Sequence, residues 1–205
     1  MNATAIHPLP AARHDLAGKV AVVVGGGRQS TAAAAALASA GAAVTVAAAD
    51  ETAILRAARA IRGSGGRALA VPMDLGEPTA VARLMEATEA TFGRLDVAVN
   101  SPGVAGSDCR AVYLAMRYEL PVLLRSGGGV IVNSALSGAE DADCVIGLSR
   151  AAALDHADRD VRINAVAYGP GTPEDFAAAT LWLCSERAAY VNGGVVPVGL
   201  RAAAA

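Results

Sequence analysis

Apolar residues run along this chain in short continuous stretches, separated by longer segments in which they recur at helical spacing. Lys19 to Gly25 reads as a strand with a continuous apolar run, followed by Gly25-Gly26-Gly27 and an alanine-rich helix that ends at Gly41. Ala43 to Ala48 is a second strand, and Glu51 to Arg62 a helix with Ile54, Leu55, Ala58 and Ile61 on one face. Gly63-Ser64-Gly65-Gly66 turns into a strand from Arg67 to Met73. Glu77-Pro78 opens a helix, with proline at a tolerated first-turn position, and Gly93 closes it. Leu95 to Asn100 is a strand. Ser107 caps a helix reaching Leu124, whose last turn Pro121 bends or ends. Gly129 to Ser134, Val161 to Ala167 and Val195 to Val198 are the remaining strands, with helices from Asp143 to Ala157 and Pro173 to Glu186 between them.

Strands apolar on both faces, alternating with amphipathic helices, predict a parallel α/β sheet covered on both sides. Right-handed crossovers make it doubly wound, with about seven strands and any ligand at their carboxyl ends near the switch point. No repeat or linker divides the chain. The expected organisation is a flexible lead-in over residues 1–15 and one domain over 16–205.

Composition narrows the function classes. A net charge of -2 and the absence of a basic stripe argue against a nucleic-acid partner. The apolar run from Ala32 to Ala49 has the length of a membrane span. Gly41 interrupts it and Val44-Thr45-Val46 changes its period, so helix, turn and strand is the reading and no membrane is expected. The lead-in carries His7, Pro8, Pro10, Arg13 and His14 and no apolar core, unlike a signal peptide; a cytoplasmic protein is expected. Cys109, Cys144 and Cys184 are odd in number, widely spaced and outside any CxxC, so they are expected to be small buried hydrophobes in a reducing compartment. No histidine spacing suggests a metal, and His156 is expected near a helix C-terminus.

The stretches KVAVVVGGGRQST, VPMDLGEPTAVARLM, FGRLDVAVNSPGV, GGGVIVNSALSG, VIGLSRAAALDHADRDVRINAVAYGPG and AAATLWLCSERAAYVNGGVVPV resemble successive landmarks of the short-chain dehydrogenase/reductase family. They occur in family order and span most of Leu16 to Val198. The resemblance implies a Rossmann-type fold, NAD or NADP as cofactor and oxidoreductase chemistry; fold alone does not certify the activity.

Residue by residue, the resemblance is uneven. The family loop TGxxxGxG lets the backbone approach the pyrophosphate at a helix N-terminus. Here Gly25, Gly27, Arg28 and Gln29 occupy it; alignment on Gly25 puts Gln29 and Thr31 at the second and third glycines, whereas alignment on Gly41 implies that one residue is missing from the loop. A turn that binds nothing and a loop that retains some dinucleotide affinity, with Arg28 as a cation, both stay open. Ala48 and Ala49 stand where relatives choose between NAD and NADP, while Asp50 and Glu51 suit the start of the next helix. Asp74-Leu75 matches the adenine-contacting pair, and Asn100-Ser101-Pro102-Gly103 stands for the family's NNAG.

The family's catalytic Asn, Ser, Tyr and Lys fare worse. Asp108 falls at the Asn, Ala135 or Leu136 at the Ser with Ser134 beside it, Gly138 at the Tyr and Ala142 at the Lys. No Tyr-x-x-x-Lys exists, since Lys19 is the only lysine. Tyr168, after the sixth strand, Ser134 and Asp108 are the remaining candidate catalytic groups. Against the family, the helix and its lead-in between Gly103 and Gly129 are shortened and Gly169-Pro170-Gly171-Thr172-Pro173 omits the lid over the substrate, whereas the core and its structural Asn164 look intact.

Three functions follow. The leading expectation is a non-redox structural or regulatory subunit, a pseudoenzyme. It would form a homo-oligomer, or a hetero-oligomer with a catalytically complete relative, through the helices from Ser107 and Asp143 and through Leu181, Trp182, Leu183 and Tyr190. The alternative is an NAD(P)-dependent ketoreductase or alcohol dehydrogenase with rearranged catalysis. A further alternative is a non-redox dehydratase or cyclase.

Overall fold

In the computed structural model, residues 16–103, 108–169 and 173–199 are described. Seven parallel strands form one sheet in the order β3-β2-β1-β4-β5-β6-β7. They are β1 (Val20–Val24), β2 (Ala43–Ala48), β3 (Ala68–Pro72), β4 (Val97–Asn100), β5 (Gly129–Leu136), β6 (Val161–Tyr168) and β7 (Val195–Val198). The helices between them are α1 (Arg28–Ser39), α2 (Glu51–Gly63), α3 (Pro78–Phe92), α4 (Asp108–Arg125), α5 (Ala142–Asp155) and α6 (Pro173–Cys184). The predicted doubly wound α/β sheet is the observed fold, and the expected elements lie within a few residues of those formed.

Alternation along the central strands splits the core. Val23, Val99, Val132 and Val166 face α1, α2 and α6, while Val22, Ala98, Ile131 and Ile163 face α3, α4 and α5. All five residues of β1 and all six of β2 are buried, which is why these strands read as continuous apolar runs. After β3 the chain crosses back over β1, so β1 and β4 are neighbours with Val24 opposite Asn100. That reversal opens a crevice at the carboxyl end of the sheet.

Several local expectations resolve here. Gly93 closes α3 in the left-handed region at φ 84°, as a C-terminal glycine should. His156 caps α5, its Nδ1 lying 3.0 Å from the Ala152 carbonyl oxygen. Asn164 clamps the loop before β7, donating to the Val191 carbonyl and accepting from the Gly194 N–H. Pro121 does not end α4, which continues to Arg125. Pro121 has no N–H to offer the Arg117 carbonyl, but Arg117 and Pro121 both lie on the exposed side of the helix, where a lost backbone bond costs least. The lead-in and the Ser107 cap lie outside the described residues.

Candidate nucleotide-binding and active site

The crevice floor is made by backbone contact between two strand ends. Ser101 N–H donates to the Val24 carbonyl, and the Ser30 hydroxyl donates to the Ser101 carbonyl at 3.3 Å. Gly25 has φ 129°, and a side chain there would collide with the Ser101 carbonyl oxygen and the Ser30 hydroxyl. This position therefore requires glycine for close approach as well as for conformation.

Beyond Gly25 the loop opens into the N-terminus of α1. Gly27 is the N-cap; no side chain caps the helix, and no acid stands in the first turn. The first-turn N–H groups and the helix dipole thus offer a positive end to an anion. Thr31 N–H and hydroxyl both bond the Gly27 carbonyl, so the hydroxyl at the family's third glycine is turned back onto the loop. A cavity of about 500 Å³ adjoins the loop, lined among others by Gly26, Gly27, Arg28, Arg56 and Glu174. Arg28 and Arg56 are both exposed and bring two cations to it. The donor set fits the phosphates of a dinucleotide. Arg56 was not foreseen, because nothing in the spacing of α2 marks it until the fold brings α2 beside α1.

The other predicted contacts are divided between structural and open roles. Asp50 caps α2, accepting from the Ala53 N–H at 3.0 Å, as its helix-start reading requires. Asp74 is exposed and accepts from the Gly76 N–H in a tight turn, while Leu75 packs half-buried against the core. Ser101 is buried beneath the crevice, and Gln29 is half-buried at the start of α1. The Asn100 side chain turns down into the core. It donates to Glu119 at 2.9 Å and to Asn133 at 3.0 Å, and Asn133 in turn donates to the Ser149 hydroxyl at 3.0 Å. Glu119 is fully buried, and burial pushes its carboxyl up to about 7, opposed by the bond from Asn100. Glu119 had a sequence signal that went unread: it is the acid in the apolar row Val112, Met116, Glu119, Leu123 of α4.

The candidate catalytic residues do not converge. Tyr168 is 9% exposed and packs edge-on against Phe176, with ring centroids 5.6 Å apart. Ser134 is buried and lies two residues before Leu136, the register partner of Tyr168, so both candidates belong to the face of β5 and β6 covered by α6. Asp108 begins α4 on the opposite layer, and of the family positions Ala135 and Ala142 both pack into that layer. Gly138 is an exposed turn residue, and Ala142 is the first residue of α5. Lys19 cannot compensate. Its Nζ bonds Asp96 at 3.3 Å at the amino end of β1, the far side of the sheet.

The cysteine expectation is corrected at this rim. Cys109 and Cys144 are joined by a disulfide across 35 residues of sequence, with Cα atoms 5.8 Å apart. The separation hid the pair; α4 and α5 both start at the carboxyl end of adjacent parallel strands and pack together, which brings their first turns side by side. Cys184 is the buried hydrophobe that was expected. Among the described residues no cluster of histidine, cysteine and acidic side chains is arranged to hold a metal ion, and no helix is long and apolar enough to cross a membrane.

Comparison with known proteins agrees with this architecture. A family model described as enoyl-(acyl carrier protein) reductase matches residues 30–112. Cyclohexanol dehydrogenase of Acinetobacter sp. is 30% identical over 63% of this chain and 72% of its own length. 3beta-hydroxysteroid dehydrogenase 1 of Eggerthella lenta is 30% identical over 71% of this chain and 77% of its own length. The solved hydroxysteroid dehydrogenase from Escherichia coli superposes with a TM-score of 0.82 at 24% identity, covering 89% of this chain and 95% of that one. A 7 alpha-hydroxysteroid dehydrogenase solved with NADH and 7-oxo glycochenodeoxycholic acid has a TM-score of 0.80 at 24% identity, covering 89% of this chain and 93% of that one. The names of these relatives favour the oxidoreductase alternative over the structural-subunit expectation. With the switch-point crevice, the glycine turn and the seven-strand order all in place, the chain belongs to the short-chain dehydrogenase/reductase family.

Proposed function

We propose that this protein is an NAD(P)-dependent oxidoreductase interconverting a secondary alcohol and a ketone, with its proton chemistry rearranged. The observation that carries this reading is the uncapped N-terminus of α1, with no acid in its first turn, and the cavity of about 500 Å³ beside it, to which Arg28 and Arg56 bring two cations against the one acid Glu174. A bound nicotinamide supplies the hydride chemistry. The first-turn N–H groups of α1 hold the phosphates, and the two guanidinium groups offset their charge. Asp50 caps α2 through one carboxylate oxygen, and Ala48 and Ala49 offer the ribose no acid at the end of β2 itself. Tyr168 carries the proton in this reading, without help from Lys19. Loss of an efficient general acid lowers rates by about 10²–10⁴, so slow turnover is expected.

One observation favours a second reading. Gly138 and Ala142 stand where the family's Tyr and Lys belong, and at the other end of α5 and in the loop before β7 the large apolar residues Leu154 and Tyr190 are exposed by 79% and 83%. In this reading the chain is a non-redox subunit that associates with itself or with a complete relative. A non-redox dehydratase or cyclase gains no support from the site, because Ser134 and Tyr168 lie on a different layer from Asp108.

Fluorescence titration of the purified chain with NADH and NADPH, followed by a ketone-reduction assay on cyclohexanone, separates these readings. The oxidoreductase predicts saturable binding and slow reduction that Tyr168→Phe abolishes. The subunit predicts a defined oligomer by light scattering and no turnover. Absence of any fluorescence change with either cofactor would remove the oxidoreductase reading.

A further inference from the structure

Independently of that reading, the rim of the crevice carries chemistry that the redox assignment does not use. Cys109 lies in the first turn of α4 and Cys144 in the first turn of α5. Both turns sit at the carboxyl end of the sheet, beside Asp108, Gly138 and Ala142. The two cysteines differ in exposure: Cys144 is exposed, whereas Cys109 is half-buried and packs against the core. A second link runs alongside the disulfide, from the Cys109 N–H to the Asp141 carboxylate at 3.2 Å. Asp141 and Asp143 flank the pair in sequence, and the difference in exposure selects the sulfur that is attacked.

We infer that Cys109–Cys144 is a thiol-exchange site, opened by low-molecular-weight thiols at Cys144, which clasps the first turns of α4 and α5 at the crevice rim. A thiolate attacks the Cys144 sulfur, forming a mixed disulfide there and releasing Cys109 as a thiolate that takes a proton from water. A second thiol attacks the external sulfur of the mixed disulfide, releasing Cys144. Two external thiols are oxidised to one disulfide, and the protein disulfide is reduced to two thiols. Opening removes the covalent half of the clasp and leaves the Asp141 bond to hold the first turn of α4. Cys184 serves as an internal control, since burial pushes its thiol up to about 12.

The full chain, purified without reductant, is alkylated and mapped by peptide mass spectrometry before and after glutathione treatment. The expected result is a linked Cys109–Cys144 peptide pair that glutathione converts to an adduct on Cys144, trapped by acid quench in the unsubstituted protein. In Cys109→Ser, the Cys144 thiol should react with glutathione disulfide at least about tenfold faster than the Cys109 thiol does in Cys144→Ser. Hydrogen exchange at the Cys109 amide should accelerate on reduction. Two free thiols in the air-purified chain, an adduct on Cys109, or identical exchange in both redox states would each overturn the inference.

Discussion

At the residue scale, single positions show how closely chemistry and backbone are tied. Gly25 meets the Ser101 carbonyl at the switch point and sits at positive φ. Gly25→Ala is expected to cost more than about 2 kcal/mol in urea unfolding and to weaken dinucleotide binding together with it. Glu119 is a different case. Its folded value of about 7 lies above the ordinary 4.5, so the folded state holds a proton that the unfolded chain has already lost. Its contribution is therefore fully present below 4.5, declines as pH rises from there to 7, and is flat above. The difference is on the order of 3 kcal/mol. Stability curves measured from pH 4.5 to 8 should show this fall in the unsubstituted protein and lack it in Glu119→Gln, whose side chain is always neutral. Parallel curves would show that Glu119 does not titrate in this window. Both residues were visible as letters, but only Gly25 stood in a motif; the acid in α4 acquires its meaning from Asn100 and Asn133 on neighbouring strands.

At the element scale, the helices around the crevice are held by unequal means. α1 and α6 pack across the same face of the sheet, where Phe176 is fully buried against Tyr168. Phe176→Ala should lose about 3–5 kcal/mol in thermal or denaturant unfolding and remove the edge-on contact with Tyr168. α4 and α5 are joined covalently instead. Closing a loop with a separation of 35 residues constrains the unfolded chain by about 4 kcal/mol in the chain-entropy view. The melting temperature should fall on reduction by several degrees, and Cys109→Ser should reproduce the fall without reductant. Helix and strand limits were largely legible because period and capping residues are local. The pairing of the two cysteines was not, since it depends on two helices meeting after a crossover.

At the scale of the whole molecule, the sheet order decides where chemistry can occur. Strands β1 and β4 stay paired to their carboxyl ends, but α1 and α4 leave them on opposite faces of the sheet, and two arginines and a free helix N-terminus lie beside the gap between those connections. Reversing charge with Arg28→Glu should weaken NADH and NADPH binding by more than about tenfold, read by fluorescence titration, while unfolding stays within about 0.5 kcal/mol. An unchanged affinity would place the phosphates elsewhere. The same order isolates Lys19 at the opposite end, bonded to Asp96, so no rotation of its side chain supplies the ammonium group that the family uses.

What the amino-acid sequence determined by itself was the doubly wound sheet, its element limits and the loss of the Tyr and Lys pair. These follow from local periodicity, turn residues and the simple absence of a lysine near the motif. Tertiary structure alone decided that Ser134 and Tyr168 face one layer while Asp108 begins the other, that Arg56 joins Arg28, and that Cys109 meets Cys144. Such facts depend on which residues distant in the chain share a strand end or a helix turn, and that proximity is created by the crossovers of the sheet.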